Sequence, residues 1–508
     1  MIPVLGIIGP TMNALSFRLS KSRLNSFRQC AKRLWLEVHK STEKLETADM
    51  WGLFAVGHQV GEIAQRAYTD GLLIAPDNNL SRALVETEKC LPMGKPLFEA
   101  TFERAGVLIR ADLLLPQGKG WHMTEVKSSA SAKDYHFTDL ATQVWVAQGK
   151  GLDIARATVR HIDRNFTLLA EGDYNGLLTD TDADAQVAAL LPAVPQAVAD
   201  ARATLQGTEP DVAMGEQCNR PFACPFQAYC SAGMPPAPTY PVSLLPGRDG
   251  MTLARSLVAD GYEDLQRVPA SRVNGAMLRR MHAATASGTA YLDAVGAAQA
   301  MQAWAWPRYF LDFETIGYTV PVWLGTRPFD QVPFQFSCHK LRQDGSTSHS
   351  GFLDLSGANP SRACAEALLD SIGPSGAVVA YNASFERGCI RALAGQFPEL
   401  APRLLDIEQR VVDLLPVVRQ NYYHRDMRGS FSLKAVLPAL VPGPGYEALD
   451  GVKDGMMAQA AYLEAVAPAC DAPRREQLRR QLTDYCTLDS MAMIELARAL
   501  TRLRPTGT

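Results

Sequence analysis

Within the apolar segment RYFLDFET, residues 308–315, two carboxylates stand two positions apart. In an extended chain that spacing puts Asp312 and Glu314 on one face of a strand whose other side chains call for a core. A pair of charges in a sheet interior is costly without a neutralising cation. The chain must therefore fold so that further ligands reach this strand, and two downstream segments can supply them. YNASFE places Asn382 and Glu386 at a strand-to-helix transition, and DYCTLDSMAM puts Tyr485 and Asp489 four apart on one helical face. Asp312, Glu314, Glu386 and Asp489 make a set that can hold two Mg²⁺ or Mn²⁺ ions. One ion activates water and the other stabilises a leaving 3′ oxygen, with Tyr485 placed to orient the water.

At 508 residues the chain exceeds one ordinary core, so two domains and a connector are expected. A hydrophobic content of 47% with 20% charged residues describes a soluble globular protein, and no apolar run is long enough to predict a membrane span. The opening MIPVLGIIGP is apolar but short and has no basic leader, which makes it a poor signal peptide. Patterned sequence starts only near Leu19, so Met12 is an alternative start, and a cytoplasmic location is expected. The formal net charge of -3 argues against a surface coated in positive charge but leaves room for a local basic groove. Ten cysteines, several inside apolar segments, do not form a secreted disulfide pattern.

Two α/β patterns follow one another. Residues 19–37 read as one amphipathic helix with a basic face and 51–70 as a second helix. PLFEATFE, GVLIRADLLL and WHMTEVKS read as strands, with PQGKG as a turn; residues 138–149 read as a helix and ATVRHIDRNFTLL as a further strand. The proline-rich residues 234–247 read as a linker. Residues 251–304 are mostly helical, and LVADGYEDLQRVPA within them fits either a helix-hairpin-helix-like unit or an ordinary connector. The second pattern opens at Arg308 with RYFLDFET, PFQFSCHKL and GAVVAYNASF as strands and closes with a helix over 475–503. The expected divisions are 12–233, 234–305 and 306–508.

The first pattern carries its own acids. Asp112 ends an apolar strand, and Glu125 and Lys127 share a face of the next one, so cross-strand pairing brings the three together. Two carboxylates and a lysine suit phosphodiester hydrolysis. The carboxylates hold Mg²⁺ or Mn²⁺, and the lysine orients or activates water. A surface hairpin with a salt bridge would use the same residues. His58, on the preceding helix, can complete a metal shell, and Gln143, on the following helix, can bind phosphate or position water. Cys218, Cys224 and Cys230 form a C-x5-C-x5-C run, with Cys30 far upstream in the basic helix. Four thiolates suit an iron–sulfur cluster or zinc. The absence of paired C-x2-C knuckles favours the cluster, and free thiols are the remaining alternative.

On His58, Asp112, Glu125-Val126-Lys127, Gln143 and the one-plus-three cysteines, residues 19–232 resemble the RecB-like PD-(D/E)XK nucleases with an iron–sulfur staple, a group that includes CRISPR-associated adaptation nucleases. The resemblance implies a metal-dependent DNA nuclease with a [4Fe-4S] cluster on Cys30, Cys218, Cys224 and Cys230. Ala147 stands where that group often has tyrosine, and the cysteine spacing differs from its commonest pattern. Residues 306–503 resemble the DnaQ-like DEDD exonucleases of the RNase H fold, in the subgroup with a Y-x3-D motif, with Glu386 where aspartate is usual. That implies 3′→5′ exonuclease activity. Asp413, in RVVDLLPVV, and Lys434, in GSFSLKAVLP, fit either accessory substrate contacts or, more often for such residues, structural roles. CNRPFACPFQAYC, YFLDFET, RPFDQVPFQFSCH, AYNASFE and GSFSLKAVLPALVP resemble the bacterial domain-of-unknown-function family 2779. The resulting expectation is a dual-site nuclease that processes DNA ends in repair, recombination or defence. The alternatives are an RNA-processing exonuclease and a nucleic-acid-binding scaffold with one inactive site. No helicase P-loop is present, so unwinding would need a helicase or repair partner.

Overall fold

The computed structural model describes residues 18–45, 49–75, 79–441, 443 and 445–502. Met12 and the opening apolar stretch lie outside the described residues. The chain is mixed α/β and divides into two compact units. The first runs to Pro235 and takes in Tyr318–Phe329; the second holds Pro236–Gly317 and the residues from Asp330 on. No helix among the described residues is long and apolar enough to cross a membrane.

The first unit is built on a seven-stranded sheet. Its strands are β1 (Leu19–Ser20), β2 (Leu72–Leu73), β3 (Leu97–Arg104), β4 (Val107–Gln117), β5 (Gly120–Val126), β6 (Ile154–Ile162) and β7 (Leu178–Asp182). The order is β2-β3-β4-β5-β6-β7, with β1 beside the start of β4. β3, β4 and β5 form an antiparallel meander whose turns use Gly106 and Gly118 at positive φ, a conformation glycine adopts without a Cβ clash. The helix Asp134–Gln148 then crosses over, so β6 returns parallel to β5. Leu140, Ala141, Val144 and Ala147 of that helix join Leu97, Ile109, Leu114, Met123 and Val159 in one core.

The expected helix over 19–37 is two helices, Lys21–Gln29 and Ala31–His39. Ser20 caps the first, its hydroxyl accepting from the Arg23 N–H at 3.3 Å. Cys30 breaks the pair with φ -166° and ψ 123°, an extended conformation that ends one helix and opens the next.

In the second unit the helices Gly247–Ala259 and Ala276–Ser287 are separated by the 3-10 turns Leu265–Arg267 and Ala270–Arg272, a longer connection than a hairpin. β8 (Tyr291–Leu292) and the helix Ala294–Gln302 follow. The main sheet contains β9 (Arg308–Ile316), β10 (Val332–Leu341), β11 (Thr347–Leu353), β12 (Ala377–Ala380) and β13 (Val411–Asp413), and β14 (Tyr422–Tyr423) pairs with β8. Strand order is β11-β10-β9-β12-β13; the first three are antiparallel, and β12 and β13 run parallel to β9. Alternation along β9 sends Tyr309, Leu311 and Phe313 into a core with Leu368, Ile390, Leu393 and Leu404. Asp312 and Glu314 take the opposite face, where the 30-residue helix Ala472–Thr501 packs on β9 and β10.

Residues 318–329, between β9 and β10 in sequence, fold with the first unit. Val320 is buried among Val60, Ile63, Ile162 and Leu177. The Leu168 N–H donates to the Thr326 carbonyl at 3.1 Å and the Gly325 N–H to the Leu168 carbonyl at 2.8 Å. Val320→Asp puts an unpaired charge into that cluster, and it is expected to destabilise the first unit by roughly 3 kcal/mol. Hydrogen exchange localised to β6, β7 and the helix Asp49–Arg66 checks this, and unchanged protection there contradicts the placement of the segment.

Candidate metal centres and the cysteine cluster

Among the described residues, three potential ligands meet tightly: one oxygen each of Asp312, Glu314 and Asp489 lies within 4.8 Å of the others. β9 supplies two of them through its alternation, and the long helix supplies the third. The helix is fixed against β10 by the Gln335 amide donating to the Leu482 carbonyl at 2.8 Å. The Tyr446 hydroxyl donates to Asp489 Oδ1. The Lys434 ammonium donates to the Tyr485 hydroxyl at 3.0 Å and stands 4.8 Å over the Tyr485 ring and 5.4 Å over that of Tyr446. Lys434 thus engages the Y-x3-D tyrosine directly. Asp413 is spent on backbone: it accepts from the N–H groups of Asn382, Ala383 and Leu415. Those bonds hold Asn382 at φ +69°, at the turn into the helix Ser384–Gln396.

Glu386 sits in the first turn of that helix, 3% exposed, and outside the tight group. Its Oε2 is buried with no hydrogen-bond partner. Burial, and then repulsion from Asp489, Glu314 and Glu386, holds the Asp312 carboxyl well above the usual carboxylate range. Burial and the Asp489 charge push Glu314 up to about 8. Burial raises Glu386 to about 8 and raises Asp489 too, despite the Tyr446 bond and the Lys434 charge. Several carboxylates facing one ammonium, with an orphaned oxygen beside them, fit a hard divalent cation.

The first unit balances its acids differently. Asp112 Oδ2 accepts from the Val126 N–H at 2.7 Å, which ties β4 to β5. Burial and the neighbouring Glu125 raise Asp112 to about 7. Glu125 is 1% exposed, and its Oε1 accepts from both Lys21 Nζ and Lys127 Nζ at 2.5 Å. The Gln143 amide donates to its Oε2. Burial alone would raise Glu125, but the two ammoniums outweigh it and hold the carboxyl below the usual range. Lys127 also lies 3.6 Å from Asp139, which accepts from Asn25. The Gln143 Oε1 is buried without a partner, leaving an acceptor beside two carboxylates. Asp112, Glu125, Lys127 and Gln143 therefore come together, with Asp112 and Glu125 as the ligands a cation would use. His58 is exposed on the helix Asp49–Arg66 and is not hydrogen-bonded to these four among the described contacts. Lys21, Asn25 and Asp139 were not singled out from sequence. The one signal was the basic face of the first helix, on which Lys21, Asn25 and Arg28 recur at i, i+4 and i+7.

Cys30, Cys218, Cys224 and Cys230 line one small cavity together with Leu36, Met214 and Phe226. The Cys224 N–H donates to the Cys218 carbonyl at 2.7 Å and the Cys230 N–H to the Phe226 carbonyl at 3.0 Å, which folds the run around the cavity. The Gln29 amide donates to the carbonyls of Gln217 and Phe222, each at 2.7 Å, so Cys30 is held against the run by its neighbour. Burial pushes the Cys224 and Cys230 thiols up.

The raised carboxyls of the second unit give a stability test. Glu314 at about 8, against an ordinary 4.5, binds its proton more tightly in the fold than in the unfolded chain. Its contribution is fully present below the ordinary value and is lost as pH climbs to 8, on the order of 4 kcal/mol for this group. With a chelator present, the melting temperature is expected to fall between about pH 6 and about pH 8.5. Mn²⁺ should raise it more at the higher pH, and Glu314→Gln should flatten the profile. A chelated protein equally stable at both pH values contradicts the assignment.

Compared with solved structures, the chain is similar to one titled "Crystal structure of SSO0001", at 15% identity over 43% of this chain and 87% of that chain. The TM-score is 0.19, too low to carry an argument about the fold. No curated protein matches the chain. Residues 309–432, which carry Asp312, Glu314 and Glu386, match the model of the family described as "Domain of unknown function (DUF2779)".

Proposed function

We propose that this chain is a metal-dependent nuclease with two phosphodiester-cleaving sites, one in each unit, that processes the ends of DNA. The observation that carries the reading is the meeting of half-buried Asp312 with buried Glu314 and Asp489, with the orphaned Glu386, whose charge acts on Asp312. That many carboxylates facing one ammonium call for divalent cations, and phosphodiester hydrolysis is the chemistry that uses such a set. The strand orders support the fold assignments. An antiparallel three-strand meander followed by a helical crossover to a parallel strand is the pattern of a PD-(D/E)XK core. Order β11-β10-β9-β12-β13, with β12 and β13 parallel to β9, is that of an RNase H-like sheet.

A bound divalent ion would polarise the phosphodiester and lower the pKa of attacking water. Asp112 and Glu125 would hold it in the first unit, and Asp312, Glu314, Asp489 and Glu386 in the second. Lys127 supplies positive charge beside Glu125, and Gln143 offers its free amide oxygen. In the second unit the Tyr485 hydroxyl accepts from Lys434, so the direction of its own proton is set. Tyr446 fixes the orientation of the Asp489 carboxylate.

Asp112→Ala and Asp312→Ala are expected to abolish different metal-dependent activities on 5′- and 3′-labelled oligonucleotides of DNA and matched RNA. The Asp312 variant should lose release of 3′-terminal nucleotides. Wild-type protein that cleaves neither DNA nor RNA with Mg²⁺ or Mn²⁺ sinks the reading, and stronger cleavage of RNA reassigns the substrate.

We also propose that Cys30, Cys218, Cys224 and Cys230 hold a [4Fe-4S] cluster. The four thiols line one small cavity, and the absence of paired C-x2-C knuckles favours the cluster over zinc. Anaerobically purified protein is expected to be brown, with absorbance near ~400 nm that Cys30→Ser abolishes. A colourless protein with one equivalent of zinc overturns this assignment.

A further inference from the structure

Both oxygens of Glu125 are engaged: Oε1 takes the ammoniums of Lys21 and Lys127 at 2.5 Å each, and Oε2 takes the Gln143 amide. A cation that takes Oε1 must displace one of the two lysines. The two are not equivalent. Lys127 has a second anion to lean on, Asp139 at 3.6 Å. Among the described residues, the ion pair of Lys21 with Glu125 is its one pairing within 4.0 Å. Lys21 is therefore the one that leaves, and its displaced charge needs a new anion close by.

Its backbone does not follow it. Lys21 is the first residue of the helix Lys21–Gln29, with Ser20 as the cap and the Leu19 N–H bonded to the Gly106 carbonyl at 3.0 Å. The ammonium can only swing about a fixed point at the edge of the site. That point is also the positive end of a nine-residue helix, where an anion is favoured. Further along the same face, Arg28 donates to Asn25 at 3.2 Å and to Thr142 at 3.1 Å, which holds the helix against the crossover helix.

We propose that Lys21 is a phosphate-binding residue of the first nuclease site, parked on Glu125 until a divalent ion takes that carboxylate and then transferred to a non-bridging oxygen of the nucleic-acid phosphate. No bond is made or broken in this exchange; an ammonium passes from one oxyanion to another. The inference rests on the nuclease reading of the first unit.

The test uses the full chain carrying Asp312→Asn, so that the second site is silent. Lys21→Met removes a competitor for Glu125 and a phosphate ligand at once. Mn²⁺ binding measured calorimetrically without nucleic acid is expected to tighten roughly tenfold, and binding of a single-stranded DNA oligonucleotide in Ca²⁺ to weaken roughly tenfold, each matching one charge-assisted hydrogen bond. Lys21→Arg should restore DNA binding. Unchanged Mn²⁺ affinity overturns the parked position, and unchanged DNA binding overturns the transfer. If neither Lys21→Met nor Lys21→Arg folds, Lys21 is a structural ion-pair partner and the proposal falls. Failure of the nuclease reading would show separately, as a wild-type protein with no cleavage that depends on Asp112.

Discussion

Burying carboxylates on apolar strands is the constraint on which both units are built. An ionised carboxylate moved from water into a sheet interior costs several kcal/mol even after the protein relaxes. Each unit sets more than one side by side, so the cost is not met by spreading charge apart. In the second unit the alternation of β9 makes the arrangement unavoidable. A register that sends Tyr309, Leu311 and Phe313 to the core must send Asp312 and Glu314 to the opposite face. The long helix Ala472–Thr501 closes over that face and adds Asp489 rather than a lysine.

The two units meet the cost by different means. In the first, cations come from the chain: Lys21 and Lys127 converge on Glu125, and the second carboxyl, Asp112, is spared part of its repulsion by a raised affinity for its proton. In the second, Lys434 bonds to a tyrosine rather than to an acid, and the carboxyls rise together. A site neutralised by its own lysines must lose an internal ion pair before it can accept a metal. A site neutralised by protons must lose protons instead. Metal binding in the first unit is thus a competition both with the chain's own cations and, through Asp112, with protons, and in the second a competition with protons. Equal affinity at the two sites would be a coincidence.

Much of this was legible in the residues, for reasons that are local. Strand alternation alone puts Asp312 with Glu314 and Glu125 with Lys127, and helical spacing alone puts Tyr485 with Asp489. What sequence missed is set by pairing across long separations. The Cys30 break in the expected 19–37 helix follows no glycine or proline; it coincides with the docking of the cysteine run through Gln29. Lys21 reaches Glu125 only because β1 pairs with the start of β4. Tyr446 comes from a turn with no motif around it, yet it bonds Asp489. Residues 318–329 were expected with the second pattern because they lie between its strands. Their apolar side chains instead complete the cluster around Val60 and Ile162.

The helix Lys21–Gln29 joins two of these features. At its start Ser20 and the β1–β4 pairing fix Lys21 at the acids of the first unit, and at its end Gln29 and Cys30 are fixed to the cysteine run. A helix held at both ends by distant parts of the sheet and the cysteine loop cannot slide or rotate without breaking one of them. Its length is nine residues, about 13 Å at 1.5 Å per residue. The cysteine cavity and the acids of the first unit thus lie at the two ends of one helix. Cys30, the one cysteine far upstream of the other three, follows directly on Gln29, whose amide ties the end of the helix carrying Lys21 to the cysteine run.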